Sequence, residues 1–254
     1  MSRSPTIDLT HPYMEELLRH RRMWEKKPAV RKMYRRWYAM IVQRLCPAGP
    51  TVELGCGCGN FKEYYPQALA TDSFATPWCD RTADACNLPF DAASVGNLVL
   101  FDVLHHLGVP TAFFEQACRV LAPGGRVVII EPAVGWFSRL IYRYCHHEPV
   151  DAGADPLCTV PPPRAPADFA NTIAATILFD RRLDEFAARF PALRVVERRW
   201  FSSLSYPMIG GFRRFCLLPA WAVAPAAAAE DFLIQRLGLK GLAMRMLVVL
   251  EKSP

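Results

Sequence analysis

Apolar and polar positions follow two different periods along the chain. Residues 12–45 read as two amphipathic helices that break at Lys27-Pro28, because a proline at a first helical position ends one helix and starts the next. Short strand-like runs follow: TVEL (51–54), ALATD (68–72), DRTADA (80–85) and NLVLFD (97–102). The fourth is almost wholly apolar, as expected of a strand buried on both faces. TAFFEQACRVL (111–121) has the period of an amphipathic helix and meets a stop at Pro123-Gly124-Gly125, after which RVVIIE (126–131) reads as a fifth strand. LRVVERRW (193–200) and MRMLVVLEK (244–252) are two late strands. Strands that alternate with helices predict an α/β domain, a parallel sheet with helices on both faces. Ligands in such sheets sit at the carboxyl ends of strands. Gly55, Asp72, Asp84, Asp102 and Glu131 all fall at those ends.

Beyond residue 132 the pattern loosens. PAVGWFSRLIYRYCHHEPVD reads as a helix running into a loop, and 152–167 is a proline-rich connection or lid. The stretch from Ser205 to Phe232 mixes glycines, aromatics and a proline-punctuated apolar run, suited to covering a pocket or touching a membrane. The expected organisation is an N-terminal helical cap over residues 1–45 and a main domain over 46–254. Covering segments are expected at about 133–192 and 201–242.

With 254 residues, 52% of them hydrophobic, the chain can bury one substantial core. No apolar run reaches the roughly 18–20 residues that a membrane helix needs. The N-terminus lacks the apolar core of a signal peptide, so a cytoplasmic protein is expected. Nine cysteines without a CxxC pair suit buried thiols and not zinc. The net charge of +6 is concentrated early: residues 1–50 hold eleven Lys/Arg against four Asp/Glu. That basic, aromatic-interleaved stretch suits a solvated helix face, an anionic small substrate or lipid surface, or a nucleic-acid arm.

The segment VELGCGCGN (52–60) carries the most specific chemistry. Its spacing is ExGxGxG, from Glu53, Gly55, Gly57 and Gly59. A dinucleotide loop would need glycine where Asn60 stands, and no GxxxxGK[ST] phosphate loop occurs. Together with ATD (70–72), ADACNLPF (83–90), NLVLFDVLHHL (97–107) and RVLAPGGRVVIIEP (119–132), in that order, the loop resembles the class I S-adenosylmethionine-dependent methyltransferases of the small-molecule group called type 11. The resemblance covers residues 50–132, and the late strands extend it to the end of the fold. It implies a Rossmann-like, seven-stranded, mostly parallel sheet with an N-terminal cap and a C-terminal insertion.

The resemblance also implies roles. Backbone around Gly55, Gly57 and Gly59 would approach the methionine part of S-adenosyl-L-methionine. Glu53 and Asp102 would supply negative charge for its sulfonium and ammonium groups. Asp72 would accept from the ribose hydroxyls. Asp84 would accept from the adenine amino group, and the Ala85 N–H would meet the ring. Only eleven residues separate Asp72 from Asp84, so the usual intervening helix is short or absent. Phe74 or Trp78 would then stack on the adenine, or pack in the loop.

Methyl transfer requires alignment and, for a hydroxyl acceptor, often a base. The candidates are His106, with its neighbour His105 behind it, and the pair His146 and His147 beside Glu148 and Asp151. No metal site is expected, since the adjacent side chains of His146, His147 and Glu148 diverge. The expected reaction is methylation of a small-molecule acceptor. That acceptor is anionic or lipid-like, and the methylated atom is a hydroxyl of a secondary metabolite, lipid-like or glycan-type molecule. The alternatives are C- or N-methylation, or a non-catalytic cofactor-binding regulator or partner subunit. A nucleic-acid partner is not expected, because FDVL stands where an NPPY-like stacking motif would be. Peripheral membrane contact is open.

Overall fold

A computed structural model of the chain describes residues 11–47, 49–145, 148–160 and 169–254. Helices α1 (Pro12–Lys26) and α2 (Pro28–Val42) meet at Lys27, and a proline opens each. There follow β1 (Thr51–Leu54), α3 (Asn60–Tyr64), β2 (Leu69–Asp72), β3 (Arg81–Thr82), β4 (Val95–Phe101), α4 (Pro110–Val120), β5 (Leu121–Pro132) and α5 (Trp136–Cys145). The remainder comprises α6 (Ala174–Thr176), α7 (Leu183–Arg189), β6 (Leu193–Phe201), α8 (Ser205–Ile209), α9 (Ala220–Arg236) and β7 (Arg245–Lys252). The seven strands form one sheet in the order β3-β2-β1-β4-β5-β7-β6. Strands β1 to β5 pair in parallel, and β7 runs antiparallel to both β5 and β6. This is the Rossmann-like α/β sheet expected from the strand–helix alternation.

The two-residue period of the central strands divides the core. Leu98, Leu100, Val127, Ile129, Val248 and Leu250 face α4 and α7. Their neighbours Val99, Val128, Ile130, Leu247 and Val249 face α2 and α9. Both faces are apolar because both are covered by helices. On the second face Trp24, Tyr34, Trp37, Tyr38 and Phe101 form a continuous aromatic cluster. The edge strand β6 instead alternates buried Leu193 with exposed and partly exposed charged residues such as Arg194 and Glu197, which discourages pairing with another chain.

Two boundaries differ from the sequence pattern. The third strand shrinks from 80–85 to Arg81–Thr82, and Ala83 to Asn87 form a turn closed by the Asn87 N–H to the Asp84 carbonyl at 3.0 Å. The fifth strand begins at Leu121, directly after α4, because Leu121 already pairs with Val95. Pro123-Gly124-Gly125, read as a helix stop, is an irregularity inside that pairing.

Lys27 does more than separate two helices. Its buried ammonium donates to four carbonyls of one loop: Ile209 (2.6 Å), Gly211 (2.7 Å), Arg213 (2.9 Å) and Phe215 (2.8 Å). Three N–H groups are shared among four acceptors. The Lys27→Met variant keeps the stem length and removes every donor. It is expected to lose about 3 kcal/mol, since the loop carbonyls lose a charged partner without gaining water. Thermal denaturation followed by circular dichroism checks this, and an unchanged melting temperature would refute it.

Candidate active site

The glycine loop lies between β1 and α3. Gly55, Gly57 and Gly59 have φ of 69°, 51° and 73°, in the left-handed region that favours glycine. A Cβ on Gly55 would lie 2.5 Å from Val103, and one on Gly59 2.7 Å from the Trp78 Cβ. A Cβ on Gly57 would meet only the Leu17 side chain, at 3.5 Å. Gly55 and Gly59 are therefore bare partly for the protein's own packing. Gly57 presents bare backbone beneath α1. Its N–H donates to Asp72 Oδ2 at 2.9 Å, which fixes the loop to the end of β2.

Glu53 is the most unusual group here. It is buried on β1, and among the described residues its Oε2 has no hydrogen-bond partner. Burial and the nearby Asp72 carboxylate push its carboxyl up to about 8. A carboxyl kept protonated beside a bare backbone loop is suited to a cationic ligand, which would restore its charge. Asp72 is also buried, and burial holds it above the ordinary carboxylate range. Its oxygens accept from the Tyr13 hydroxyl at 3.2 Å and the Phe74 N–H at 3.2 Å, besides Gly57. Tyr13 is a contact that sequence spacing did not reveal. A ribose at Asp72 would compete with it.

The loop from Ser73 to Asp80 holds no helix, in line with the short interval between the two acids. Phe74 is partly exposed and packs against His11 and Tyr13, with centroids at 4.7 and 5.3 Å. Trp78 packs on Gly59 instead. Asp84 is exposed, and its Oδ1 caps the Cys86 N–H at 2.8 Å, while Ala85 is buried beside it.

A second cluster stands where β4 ends. Asp102 has φ of 56° and pairs with the buried Arg245 of β7. The Arg245 guanidinium also lies over Trp37 and Tyr206, 5.1 and 5.0 Å from their ring centroids. A lone arginine in the apolar run of β7 was the signal for this contact, and sequence reasoning passed over it. The next turn, a single 3₁₀ turn at Leu104–His106, brings the rings of His105 and His106 to 4.1 Å. Glu131 at the end of β5 accepts from the N–H groups of Val103 and Leu104, both at 2.7 Å, and from His105 Nδ1 at 2.6 Å.

Glu148 reaches this cluster across the fold, 3.3 Å from His105 Nε2 and 3.5 Å from His106 Nε2. The segment that carries it is fixed by the Thr172 N–H to the Pro149 carbonyl and by paired bonds between Asp151 and Asn171, each 3.0 Å. Burial alone would lower the His105 pKa, but Glu131 and Glu148 outweigh it and raise it to about 10. His105 is thus a fixed cation at neutral pH. The half-exposed His106 is held below the ordinary histidine range by partial burial and by the His105 charge, so it is neutral and able to take a proton. Its Nδ1 faces the Phe169 carbonyl at 3.3 Å and its Nε2 the Glu148 carboxylate at 3.5 Å; in the neutral ring one of the two donates and the other keeps the lone pair. His105, His106 and Glu148 also bring ligand atoms within 4.8 Å of one another, as do Asp102, His105 and Glu131, donor sets compatible with a divalent cation. The other two histidines named from sequence, His146 and His147, lie outside the described residues.

A family model described as "Methyltransferase domain" matches residues 52–129, from the glycine loop through β5. Among solved structures, an S-adenosylmethionine-dependent methyltransferase from Archaeoglobus fulgidus superimposes with a TM-score of 0.51 at 12% identity, over 90% of this chain and 97% of that one. A methyltransferase in complex with the Trm112 methyltransferase activator of Haloferax volcanii does so with a TM-score of 0.51 at 15% identity, over 95% and 96%. At such identities the likeness concerns the fold. No curated protein matches the chain significantly.

Proposed function

We propose that the chain, whose residues 52–129 match a methyltransferase domain, is a class I S-adenosylmethionine-dependent enzyme that methylates a hydroxyl of a small lipid-like or glycan-type acceptor in the cytoplasm, with His106 as the base. The observation that carries this reading is the placement of two adjacent histidines, His105 buried between two carboxylates and His106 half-exposed beside it. His105 is locked as a cation between two carboxylates, while His106 is neutral, half-exposed and steered by Glu148. A hydroxyl needs such a proton acceptor, whereas an amine or an activated carbon often does not.

In this reading the cofactor supplies a sulfonium-activated methyl group. Glu53 would take its ammonium end, Asp72 its ribose, and Asp84 with the Ala85 N–H its adenine, with Phe74 at the ring. Gly55, Gly57 and Gly59 would give the backbone approach, and Asp102 would contribute charge beside the reacting end. Residues 1–45 would act as the cap, supported by the bonds of Tyr13 to Asp72 and of Arg21 and Trp24 to Glu63. Eight free cysteines among the described residues suit a reducing compartment. No helix among the described residues is long and apolar enough to cross a membrane.

The test is His106→Ala, assayed for formation of the demethylated cofactor against a panel of hydroxyl-bearing acceptors. A loss of about 100-fold in kcat with unchanged cofactor affinity is expected. The rate of the unmodified protein should rise with pH through a midpoint below the ordinary histidine value, and EDTA should leave it unaltered. Full activity in His106→Ala would overturn the base assignment. A chelator-sensitive rate would turn the cluster into a metal site.

A further inference from the structure

We propose that the face formed by α2, α9 and the loop between α8 and α9 docks on an anionic lipid bilayer. The inference does not rest on the hydroxyl-methylation reading.

The argument begins with charge. No charged residue occurs from Phe215 to Ala229, and α9 carries none before Glu230. Its inner side buries Val223 and Ala227 against the sheet, and Ile234 is buried on the same side. Trp221, Pro225, Ala228, Ala229 and Phe232 recur at helical spacing on the opposite side, and all are exposed. Trp221 is 76% exposed and Phe232 60%. A lone apolar residue at the surface would be ordinary, but a stripe that continues into exposed Phe215 and Leu217 is a contact surface.

The loop that carries Phe215 and Leu217 is held from below. Lys27 takes the carbonyls of Ile209, Gly211, Arg213 and Phe215, so the backbone is tied to the α1–α2 junction. The apolar side chains are thus displayed from an anchored backbone. Exposed Arg213 and Arg214 precede them in the same loop.

Helix α2 supplies the remaining charge. It packs along α9 on the same face of the sheet, and Arg36 reaches Asp231 at 2.6 Å. The two solvent faces therefore point the same way. On α2 that face is Pro28, Lys32 and Arg35, and the helix contains no acidic residue. An apolar stripe with an interfacial tryptophan, flanked by cations, matches the headgroup region of an anionic bilayer. A second copy fits less well, because a twofold contact through this face would bury Lys32 and Arg35 of each copy against a face whose helix α2 offers no acidic partner.

The experiment is sedimentation of the full chain with vesicles of phosphatidylcholine alone or mixed with phosphatidylglycerol. Binding to the mixed vesicles only, weakened by salt, is expected. Leu217→Ser with Trp221→Ser should reduce it at least about tenfold, and Lys32→Glu with Arg35→Glu by a similar factor. Unchanged calorimetric binding of S-adenosylmethionine shows that each variant is folded. Failure to sediment with mixed vesicles overturns the proposal. So does equal binding to both vesicle types, or a dimer in light scattering that the Leu217 and Trp221 substitutions dissolve.

Discussion

Replacing Arg245 by Met is expected to destabilise the protein by about 2–3 kcal/mol, because it leaves the partly buried Asp102 carboxylate without its charged partner. The pair spans the sheet: Asp102 leaves the end of β4 with φ of 56°, and Arg245 opens β7. Burial raises the Asp102 carboxyl above its ordinary value, and the Arg245 charge works against that rise. In Arg245→Met the largest opposing charge is gone, and burial together with Glu131 outweighs what the His105 charge still lowers. The unfolded chain still ionises Asp102 near the usual value, so it sheds a proton that the folded variant retains. Stability of the variant should therefore fall as pH rises from about 4 toward the elevated folded value. The deficit measured by urea unfolding will be larger at pH 8 than at pH 5. Adding Asp102→Asn should recover much of it, since Asn tolerates the left-handed backbone and has no charge to bury. Part of the loss will persist, because the guanidinium also stacks on Trp37 and Tyr206. A pH-independent deficit that Asp102→Asn does not relieve would show that packing alone, and not the ion pair, holds this corner.

That corner also shows what the sequence could and could not convey. The nearly continuous apolar runs of residues 97–101 and 126–131 are a local signal, and they located β4, β5 and the acids at their ends. The break at Lys27-Pro28 was local as well, and the helices end and start there. The Asp102–Arg245 contact joins residues 143 apart, and Tyr13 meets Asp72 across 59. No periodicity encodes such meetings. The lysine at the helix junction looked like punctuation, yet its role depends on a loop 182 to 188 residues away. The histidine pairs illustrate the same limit. The 3₁₀ turn at Leu104–His106 turns two rings toward one carboxylate supplied by a distant segment, which the order of residues does not show. The glycines were read as room for a ligand. Two of the three are also demanded by Val103 and Trp78, which become neighbours only in the folded chain.

Cofactor affinity is expected to rise with pH toward about 8, driven by Glu53, and to fall above it as the ligand's own ammonium group loses its proton. In the free protein that carboxyl is protonated at neutral pH, since burial disfavours its charge and Asp72 adds repulsion. The folded state therefore holds this proton more tightly than the unfolded chain does. Glu53 accordingly costs stability increasingly between about 4.5 and about 8. A cationic ligand placed at Oε2, which lacks a partner among the described residues, reverses the preference and expels the proton. Binding and proton release are then linked, and affinity can gain up to about tenfold per pH unit well below the Glu53 value, or about 50-fold between pH 6 and 8. Calorimetry of S-adenosylmethionine in two buffers of different ionisation enthalpy should report release of close to one proton near pH 6.5. The ligand's own α-amino group titrates at about 7.7–8.0, so the wild-type profile needs a reference. Glu53→Gln is that reference: it keeps the shape, cannot ionise, and should bind with a shallower pH dependence and no proton release. The ratio of the two affinities isolates Glu53. If that ratio stays constant from pH 6 to 8, the carboxyl does not meet the cofactor's charge, and the buried acid of β1 belongs to the fold and not to the site.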